Sequence, residues 1–276
     1  MKRSENFIEP EGKEQMNFIV CIKQVPDTTE IRIDPETNTL IREGVESIIN
    51  PFDLYAIEEA VRLKEKFGGK VTAVSMGPPQ VEKALRETVS LGVDEIILLS
   101  DRKFAGADSW ATSHTISAAI KKIQDYDLIL FGQQAIDGDT GQVGPGVATF
   151  LELPQVCFVK KIADINETEV TIHRLMEDGY DVITSSLPVA LSVVKDINIP
   201  RLPSLRGKRQ AKKSELTVWN ADDLGLNEKE IGLNGSPTQV VKIFSPKLEK
   251  EVEKMEELTS EEAAEKIYQR LKELGK

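Results

Sequence analysis

Residues 128–145, LILFGQQAIDGDTGQVGP, decide the fold, because a short apolar run passes directly into a glycine-rich segment. The run LILF is typical of a buried strand. Gly138, Gly141 and Gly144 allow the backbone to approach a ligand closely. N–H groups at the start of a following helix can hold a phosphate or pyrophosphate. The stretch therefore predicts a strand, a ligand-binding turn and a helix in succession.

Two carboxylates in this segment restrict that interpretation. Asp137 and Asp139 would repel a phosphate, so we expect one of them to accept hydrogen bonds from ribose hydroxyls or to cap the helix. A tight strand-to-helix turn with acidic caps explains the segment equally well. It is neither a GxGxxG sequence nor a Walker loop, so spacing alone does not decide between the two.

The same alternation of strand and helix extends towards the N terminus. Asn50 is placed to cap a helix that Gly68 ends, and Gly92 and Asp108 mark two further helix boundaries. Strands are predicted at residues 17–25, 71–75, 95–99 and 128–131, and helices at 50–67, 80–91, 108–123 and around 147–151. Buried-type strands that alternate with helices predict an α/β fold, a doubly wound and mostly parallel sheet.

Parallel sheets bind ligands at the carboxyl ends of their strands, so the loops after residues 25, 75, 99 and 131 are the candidate site. Lys23 can balance a ligand phosphate or extend into solvent. Met76, with Gly77, can offer a soft apolar face to an adenine, although an ordinary turn is favoured there. The segment from Asn50 to Asp53 is explained by helix capping alone unless it converges with the other loops.

The second half of the chain is rich in β-type sequence and is expected to extend the sheet or wrap one side of it. Strands are predicted at residues 156–161, 169–175, 180–184 and 189–194, followed by a long connection over 197–234. Residues 31–41 are expected to form a short hairpin. At the C terminus, Thr259 and Glu262 predict a capping box, ahead of a narrow apolar stripe that must be buried against something. The stripe consists of Ala264, Ile267, Leu271 and Leu274.

Composition excludes several classes of protein. A net charge of −11 disfavours nucleic-acid binding as the main purpose. Two distant cysteines, Cys21 and Cys157, support neither a disulfide framework nor a thiolate metal site, and two histidines exclude a histidine-rich metal centre. The first fifteen residues lack an apolar core, so we expect a flexible extension, or a start at Met16, on a cytoplasmic chain without a membrane span.

Side chains for acid–base or nucleophilic catalysis are not evident. His114 is predicted on a helix surface and His173 on a strand, and neither has a neighbouring serine or cysteine that would suggest a triad. Cys21 is expected to be a small apolar strand residue. A nucleotide holder without such groups suits an electron or hydride carrier, because the cofactor then performs the chemistry.

A basic segment, residues 201–213 (RLPSLRGKRQAKK), carries six Lys or Arg residues and no acidic residue. Against the acidic background it predicts a docking strip, extending over 197–213, for an acidic partner or a long cofactor. A solvated loop is the alternative, and nucleic-acid binding is weaker still because no aromatic residue interleaves the charges. The apolar Leu202 and Leu205 favour protein docking, with Arg206 and Lys208 as charged contacts.

Taken together, KQVPDT (23–28), INPFDLYAIEEAVRLKE (49–65), VSMGPP (74–79), GQQAIDGDTGQVGP (132–145), SLRGKRQAKK, DLGL and GSPTQV resemble the beta subunit of electron transfer flavoprotein. The resemblance covers residues 16 to about 246. It implies an adenine-nucleotide-binding α/β domain over 16–234 and an obligate partner, the FAD-containing alpha subunit. Residues 235–276 would then form an arm and helix that pack on that subunit. It also implies electron transfer with an acyl-CoA dehydrogenase or another flavin dehydrogenase.

The resemblance also implies which residues bind the cofactor. These are Cys21, Lys23, Asn50, Pro51, Phe52, Asp53, Met76, Gly77, Gln133, Gln134, Ala135, Ile136, Asp137, Gly138, Asp139, Thr140, Gly141, Gln142, Val143 and Gly144. They lie in the regions that the parallel-sheet argument places at one edge.

Two kinds of family member remain open. The VPDT and DGDT–GQVGP motifs resemble those of the electron-bifurcating type. In that type the site holds FAD, NADH gives the electrons, and a low-potential carrier such as ferredoxin or flavodoxin takes one of them. Gly138, where respiratory relatives tend to have a bulkier residue, favours the roomier FAD site. The alternatives are a carrier with structural AMP and a stand-alone adenine-nucleotide-binding regulator.

Overall fold

The computed structural model describes residues 15–27, 47–241, 255 and 258–274. The hairpin predicted at 31–41 and the extension predicted over the first fifteen residues, Gln15 apart, lie outside the described residues. The chain divides into two compact units, residues 1–241 and 242–276.

The first unit alternates strands and helices through its first half. The elements are β1 (Phe18–Cys21), β2 (Gln24–Pro26), β3 (Ser47–Ile49), α1 (Pro51–Phe67), β4 (Val71–Met76), α2 (Glu82–Leu91), β5 (Glu95–Leu99), α3 (Ser109–Ile123), β6 (Leu128–Gly132) and α4 (Val143–Phe150). Its second half consists of β7 (Gln155–Ile165), β8 (Glu169–Met176), β9 (Gly179–Ser186), β10 (Val189–Val193), α5 (Leu205–Ala211) and β11 (Leu216–Trp219).

The central sheet has nine strands in the order β11-β5-β4-β1-β6-β10-β7-β8-β9. All pairs from β11 to β7 are parallel, and only the β7–β8 and β8–β9 pairs are antiparallel. The predicted α/β class with a mostly parallel sheet is confirmed. Of the two arrangements expected for the β-rich second half, the structure has the extended sheet. Its strands are not added in chain order, because β10 lies between β6 and β7.

Helices cover both faces of the sheet, and the central strand β1 shows how one sequence supplies both. Phe18 and Val20 pack into the core under α1 and α2, whereas Ile19 and Cys21 pack into the core under α3 and α4. Successive side chains of a strand point to opposite faces. An uninterrupted apolar run is therefore what a strand buried on both faces requires.

The predicted helix boundaries are largely confirmed. Gly68, with φ 73°, ends α1, and Gly92 ends α2 in a left-handed conformation at φ 118°. The Asp108 carboxylate caps α3 by accepting the N–H groups of Trp110 and Ala111, both at 3.0 Å.

Three predicted boundaries were wrong. The strand over 17–25 is two strands, because the chain turns after Cys21 and β2 pairs with β3 outside the main sheet. The helix expected near 147–151 begins at Val143, so the last glycine of the segment lies in its first turn. The long connection over 197–234 contains α5 and a ninth sheet strand, β11. Charged residues dominate the sequence of this region, so its small buried residues do not stand out. Gly207 and Ala211 are buried, and through them α5 packs on α2.

The second unit is described here only as α6 (Ser260–Leu274) and the residues directly before it. The predicted capping box is present, since the Glu262 carboxylate accepts the N–H of Thr259 at 2.9 Å. Ile267 and Leu271 are exposed, so the helix does not bury its apolar stripe within its own unit. Across the parts of the chain that the structure describes, no helix is long and apolar enough to cross a membrane.

Candidate functional site

A cleft of about 340 Å³ opens at the carboxyl ends of β1, β4 and β6. This volume lies at the lower end of the range for small-molecule sites in proteins. The position is the edge at which parallel sheets bind ligands, because the helices that follow the strands present their N termini there.

Most of the residues predicted for the site line this cleft. They are Cys21, Lys23, Asn50, Asp53, Met76, Gln133, Gln134, Ala135, Gly138, Asp139, Thr140, Gly141, Gln142, Val143 and Gly144. Pro51, Phe52, Gly77, Ile136 and Asp137 do not line it. Four separate stretches of sequence thus meet at one cleft. Helix capping alone would not bring the Asn50 segment to this place.

The sequence placed the loop after residue 99 at the candidate site but named no residue of that loop or of α3 as a ligand contact. Ala107, Asp108, Ser109 and Thr112 line the cleft from the start of that helix. The Ser109 hydroxyl donates to the side-chain oxygen of Gln142 at 2.9 Å and so joins α3 to the glycine-rich segment. The available signal was Asp108, recognised as a cap, because a helix that follows a strand of a parallel sheet begins at the ligand-binding edge. The other lining residues that were not named as cofactor contacts are Ile22, Ile116, Phe131, Gly132, Pro145 and Ser192, of which Gly132 and Pro145 bound the predicted segment.

Asn50 occupies the N-cap position of α1, but its side chain makes no capping hydrogen bond. It is 1% exposed. Its amide donates to the Asp53 carboxylate at 2.9 Å and to the Gln134 carbonyl at 2.8 Å, and its oxygen accepts the N–H of Ile136 at 3.1 Å. The side chain therefore connects the start of α1 to the segment after β6.

Asp53 lies in the first turn of α1 and is buried. Its carboxylate accepts the N–H of Lys23 at 2.7 Å. Burial raises the pKa of this carboxyl to about 7, although hydrogen bonds from Asn50, Lys23 and Gly132 act in the opposite direction. A carboxyl at the cleft floor therefore titrates near neutral pH.

Lys23 lines the cleft and reaches the glycine-rich segment. Its ammonium group lies 2.7 Å from the Asp137 carboxylate, and both side chains are partly exposed. The sequence left Lys23 either as a counter-ion for phosphate or as a solvated side chain. The observed ion pair joins the end of β1 to the glycine-rich segment, so the lysine charge is already partly neutralised by the chain itself.

The glycine-rich segment presents a cradle of backbone. Val143 and Gly144 lie in the first turn of α4, where N–H groups have no intrahelical acceptor. Asp139 adopts a left-handed conformation, at φ 55°, and its carboxylate accepts a hydrogen bond from the Gln134 amide. A Cβ built on Gly138 would meet nothing within 4 Å, whereas one on Gly144 would lie 3.2 Å from the Phe131 ring. Gly138 thus leaves open space, while Gly144 permits close packing.

The cysteine and histidine side chains considered for other chemistry are buried or in contact with other residues. Cys21 is buried, which raises its thiol pKa and keeps it neutral, as expected for an apolar strand residue. His114 lies in α3, half-buried rather than fully on the surface, with a ring nitrogen 3.2 Å from the Glu230 carbonyl. His173 stacks on Tyr180, with ring centroids 4.5 Å apart.

The basic segment is partly fixed and partly free. Arg201 is held by the carboxylates of Glu58 at 2.7 Å and Glu65 at 2.6 Å, so it is anchored to α1. Leu202 and Leu205 are 88% and 83% exposed, which is unusual for leucine. Arg206 and Lys208 are also exposed, on the outer side of α5.

Comparison with known proteins adds to this geometry. The family model described as the electron transfer flavoprotein domain matches residues 37–224. The electron transfer flavoprotein subunit beta of Thermoanaerobacterium thermosaccharolyticum is 53% identical over 236 residues, which cover 85% of this chain and 90% of the relative.

Two further relatives carry different names. The caffeyl-CoA reductase-Etf complex subunit CarD of Acetobacterium woodii is 49% identical over 259 residues, 94% of this chain and 98% of the relative. Protein FixA of Azotobacter vinelandii is 48% identical over 238 residues, 84% of this chain and 85% of the relative. The family match covers more than half of the chain and the identities extend over most of it, so the chain belongs to the electron transfer flavoprotein family, as a beta subunit.

Proposed function

We propose that this chain binds FAD in the cleft and works in a heterodimer with an electron transfer flavoprotein alpha subunit. In this proposal the complex accepts a hydride from NADH. One electron passes to a flavin dehydrogenase and the other to a low-potential carrier such as ferredoxin or flavodoxin, while the proton is released. The observation that carries the proposal is the convergence of the predicted nucleotide-binding segments on one cleft of about 340 Å³.

The residues at the cleft fit an adenine nucleotide. The first turn of α4 offers backbone N–H groups to a pyrophosphate, and Gly138 leaves room where a side chain would otherwise stand. Cys21 and Met76 add to the cleft lining apolar surface suited to an aromatic base. Asp139 lies in the same lining with a carboxylate that can accept hydrogen bonds from a ribose.

FAD would supply the redox chemistry when bound. The chain contributes binding and orientation. The Lys23–Asp137 ion pair limits the charge that the lysine can direct at a ligand. The similarity to a subunit of a caffeyl-CoA reductase-Etf complex supports the bifurcating assignment.

A second candidate is an ordinary electron carrier in which the cleft holds AMP as a structural ligand. The cleft volume favours this alternative, because about 340 Å³ suits a mononucleotide better than a whole dinucleotide. With FAD, the flavin half would have to extend beyond the cleft. A stand-alone nucleotide-binding regulator is the least supported, since a relative that is 53% identical is named as an electron transfer flavoprotein subunit.

The deciding experiment is titration of the purified heterodimer with NADH, together with quantification of its bound nucleotides. Bifurcation predicts two flavins per heterodimer and bleaching of flavin absorbance by NADH. One flavin, one AMP and no bleaching would establish the ordinary carrier instead. Absence of any nucleotide from the beta subunit would contradict both.

We also propose that the basic segment docks the dehydrogenase, with Leu202 and Leu205 as apolar anchors and Arg206 and Lys208 for electrostatic steering. Leu205→Ala should slow electron delivery without changing flavin content. Charge reversal at Arg206 and Lys208 should change its salt dependence. Equal delivery rates at all ionic strengths would refute this role.

For α6 we propose packing on the alpha subunit, because its apolar stripe is exposed in its own unit. Removing residues 258–276 should weaken association with that subunit and leave nucleotide binding intact. Unchanged affinity of the shortened chain would contradict this.

A further inference from the structure

A single buried carboxylate joins the elements that meet beneath the cleft. Asp53 accepts the N–H of Lys23 at 2.7 Å and the side-chain amide of Asn50 at 2.9 Å, and its carboxylate lies against Gly132. These three residues stand at the end of β1, at the start of α1 and at the end of β6. Without the carboxylate, two N–H donors in a buried place would lose their acceptor.

Asn50 extends this connection into the glycine-rich segment. Its two amide hydrogens are used by Asp53 and by the Gln134 carbonyl, and its oxygen accepts the N–H of Ile136. A side chain satisfied in this way by its own protein has little left to offer a ligand. Its effect on a ligand is therefore exerted through the backbone at residues 134–136.

We propose, on the basis of the proposed nucleotide site, that Asn50 and Asp53 form a buried clamp whose charged form sets the backbone of the glycine-rich segment for nucleotide binding. Both are positioning residues. They act on the nucleotide through Gln134 and Ile136 rather than by direct contact. Protonation of Asp53 would place an O–H among N–H donors, so the clamp weakens as the carboxyl gains a proton.

The charged groups around Asp53 are few. On β1 and directly after it stand the buried, neutral Cys21 thiol and the Lys23 ammonium, which favours the charged carboxylate. In the glycine-rich segment, Asp137 is paired with Lys23, and Asp139 accepts from the Gln134 amide. Further along α1, Glu58 is paired with Arg201 and Glu59 accepts from Asn198, away from the cleft. Burial remains the main reason why Asp53 titrates near pH 7.

The test uses the full-length chain co-expressed with its alpha subunit and measures FAD and AMP affinity from pH 6 to pH 8.5. Asp53→Asn keeps the shape but turns an amide group towards the N–H donors. We expect affinity about tenfold weaker than wild type at pH 8, and no difference at pH 6, where the wild-type carboxyl is itself protonated. Because a phosphate monoester also titrates near pH 6, the difference between variant and wild type is the readout.

A second variant and a matched control separate the clamp from general damage to the fold. Asn50→Ala removes the side chain that connects Asp53 to residues 134–136, so affinity should be weakened and should lose the wild-type dependence on pH. Asp127→Asn changes another buried carboxyl that accepts an N–H next to β1, from Asn17 at 2.8 Å, but at the opposite edge of the sheet. Its affinity profile should match wild type.

A loss of affinity in Asp53→Asn that is the same at every pH, or an equal loss in Asp127→Asn, would overturn the proposal. Amide hydrogen exchange of Ile136 in the nucleotide-free complex gives an independent readout, and we expect it to be at least about tenfold faster in Asn50→Ala. If the wild-type complex binds neither FAD nor AMP, the proposed function fails. The exchange of Ile136 then still decides whether the clamp exists, and unchanged exchange overturns it.

Discussion

At the amino edge of the sheet the Asp127 carboxylate accepts the N–H of Asn17 at 2.8 Å, and at the carboxyl edge the Asp53 carboxylate accepts the N–H of Lys23 at 2.7 Å. Each edge also has a glycine where chains approach closely, Gly69 against Met16 and Gly132 against the backbone of α1. The same two features, a buried carboxylate and a closely packed glycine, therefore have different roles at the two edges. They close the amino edge, whereas at the carboxyl edge they form the floor of a cleft.

Burial explains why the charged carboxylate at the carboxyl edge destabilises the folded protein. At the amino edge, Asp94 accepts the N–H of Val71 and also pairs with the Lys64 ammonium at 2.9 Å, in partial contact with solvent. Asp53 has N–H donors around it but no ion pair of its own, since the Lys23 ammonium is paired with Asp137, and burial raises its pKa to about 7. Functional sites commonly carry such destabilised groups.

The largest expected effect concerns the pH dependence of stability. An unfolded chain releases the Asp53 proton near pH 4 and the folded chain near pH 7, so the folded state binds more protons in between. Its contribution should lower the free energy of unfolding as pH rises from about 4 to about 7. Those three pH units correspond to about 4 kcal/mol.

Urea unfolding of wild type and Asp53→Asn over pH 4.5 to 8 measures this contribution. The wild-type free energy should fall more steeply with pH than that of the variant. Parallel curves would mean that burial of Asp53 does not destabilise the folded protein, and the stated difference between the two edges would then be wrong.

The next effect, about 1–3 kcal/mol, is expected from adding a methyl group at either edge. In Gly132→Ala the new Cβ would lie 2.7 Å from the Phe52 carbonyl carbon, and in Gly69→Ala it would overlap the Met16 carbonyl. Both variants should unfold at lower urea concentration. Only Gly132→Ala should also reduce nucleotide retention in the folded fraction, and equal retention in the two would contradict the difference between edges.

The smallest effect on stability is expected at Gly138. Its Cβ would meet no protein atom within 4 Å, so Gly138→Leu should change the free energy of unfolding by no more than about 0.5 kcal/mol. Flavin content should nevertheless fall, because the side chain would occupy the space proposed for the ligand. Gly144→Leu is a poorer probe, since its Cβ already meets the Phe131 ring at 3.2 Å. Full flavin occupancy in Gly138→Leu would exclude this part of the segment from the site.

Local sequence signals predicted the parallel half of the fold, because each signal depends on only a few neighbouring residues. An apolar run such as that of β6 has to be buried on both faces, and Gly92 and Asp108 end and begin helices by their own conformation and hydrogen bonding. The helix α4 was placed too late because a start made of valine, glycine and proline has no periodic apolar pattern.

By itself, the sequence determined the α/β class and which strand ends meet at one edge of the sheet, since these follow from strand and helix order. Most of the cofactor-binding residues that the family resemblance implies line the cleft at that edge. Only the tertiary structure decided what the side chains do there. Asn50 makes no cap hydrogen bond and holds a segment 84 residues further along the chain instead. Asp53 is buried and Lys23 is paired with Asp137. Burial and pairing between distant residues depend on which elements pack together, and no local pattern contains that information.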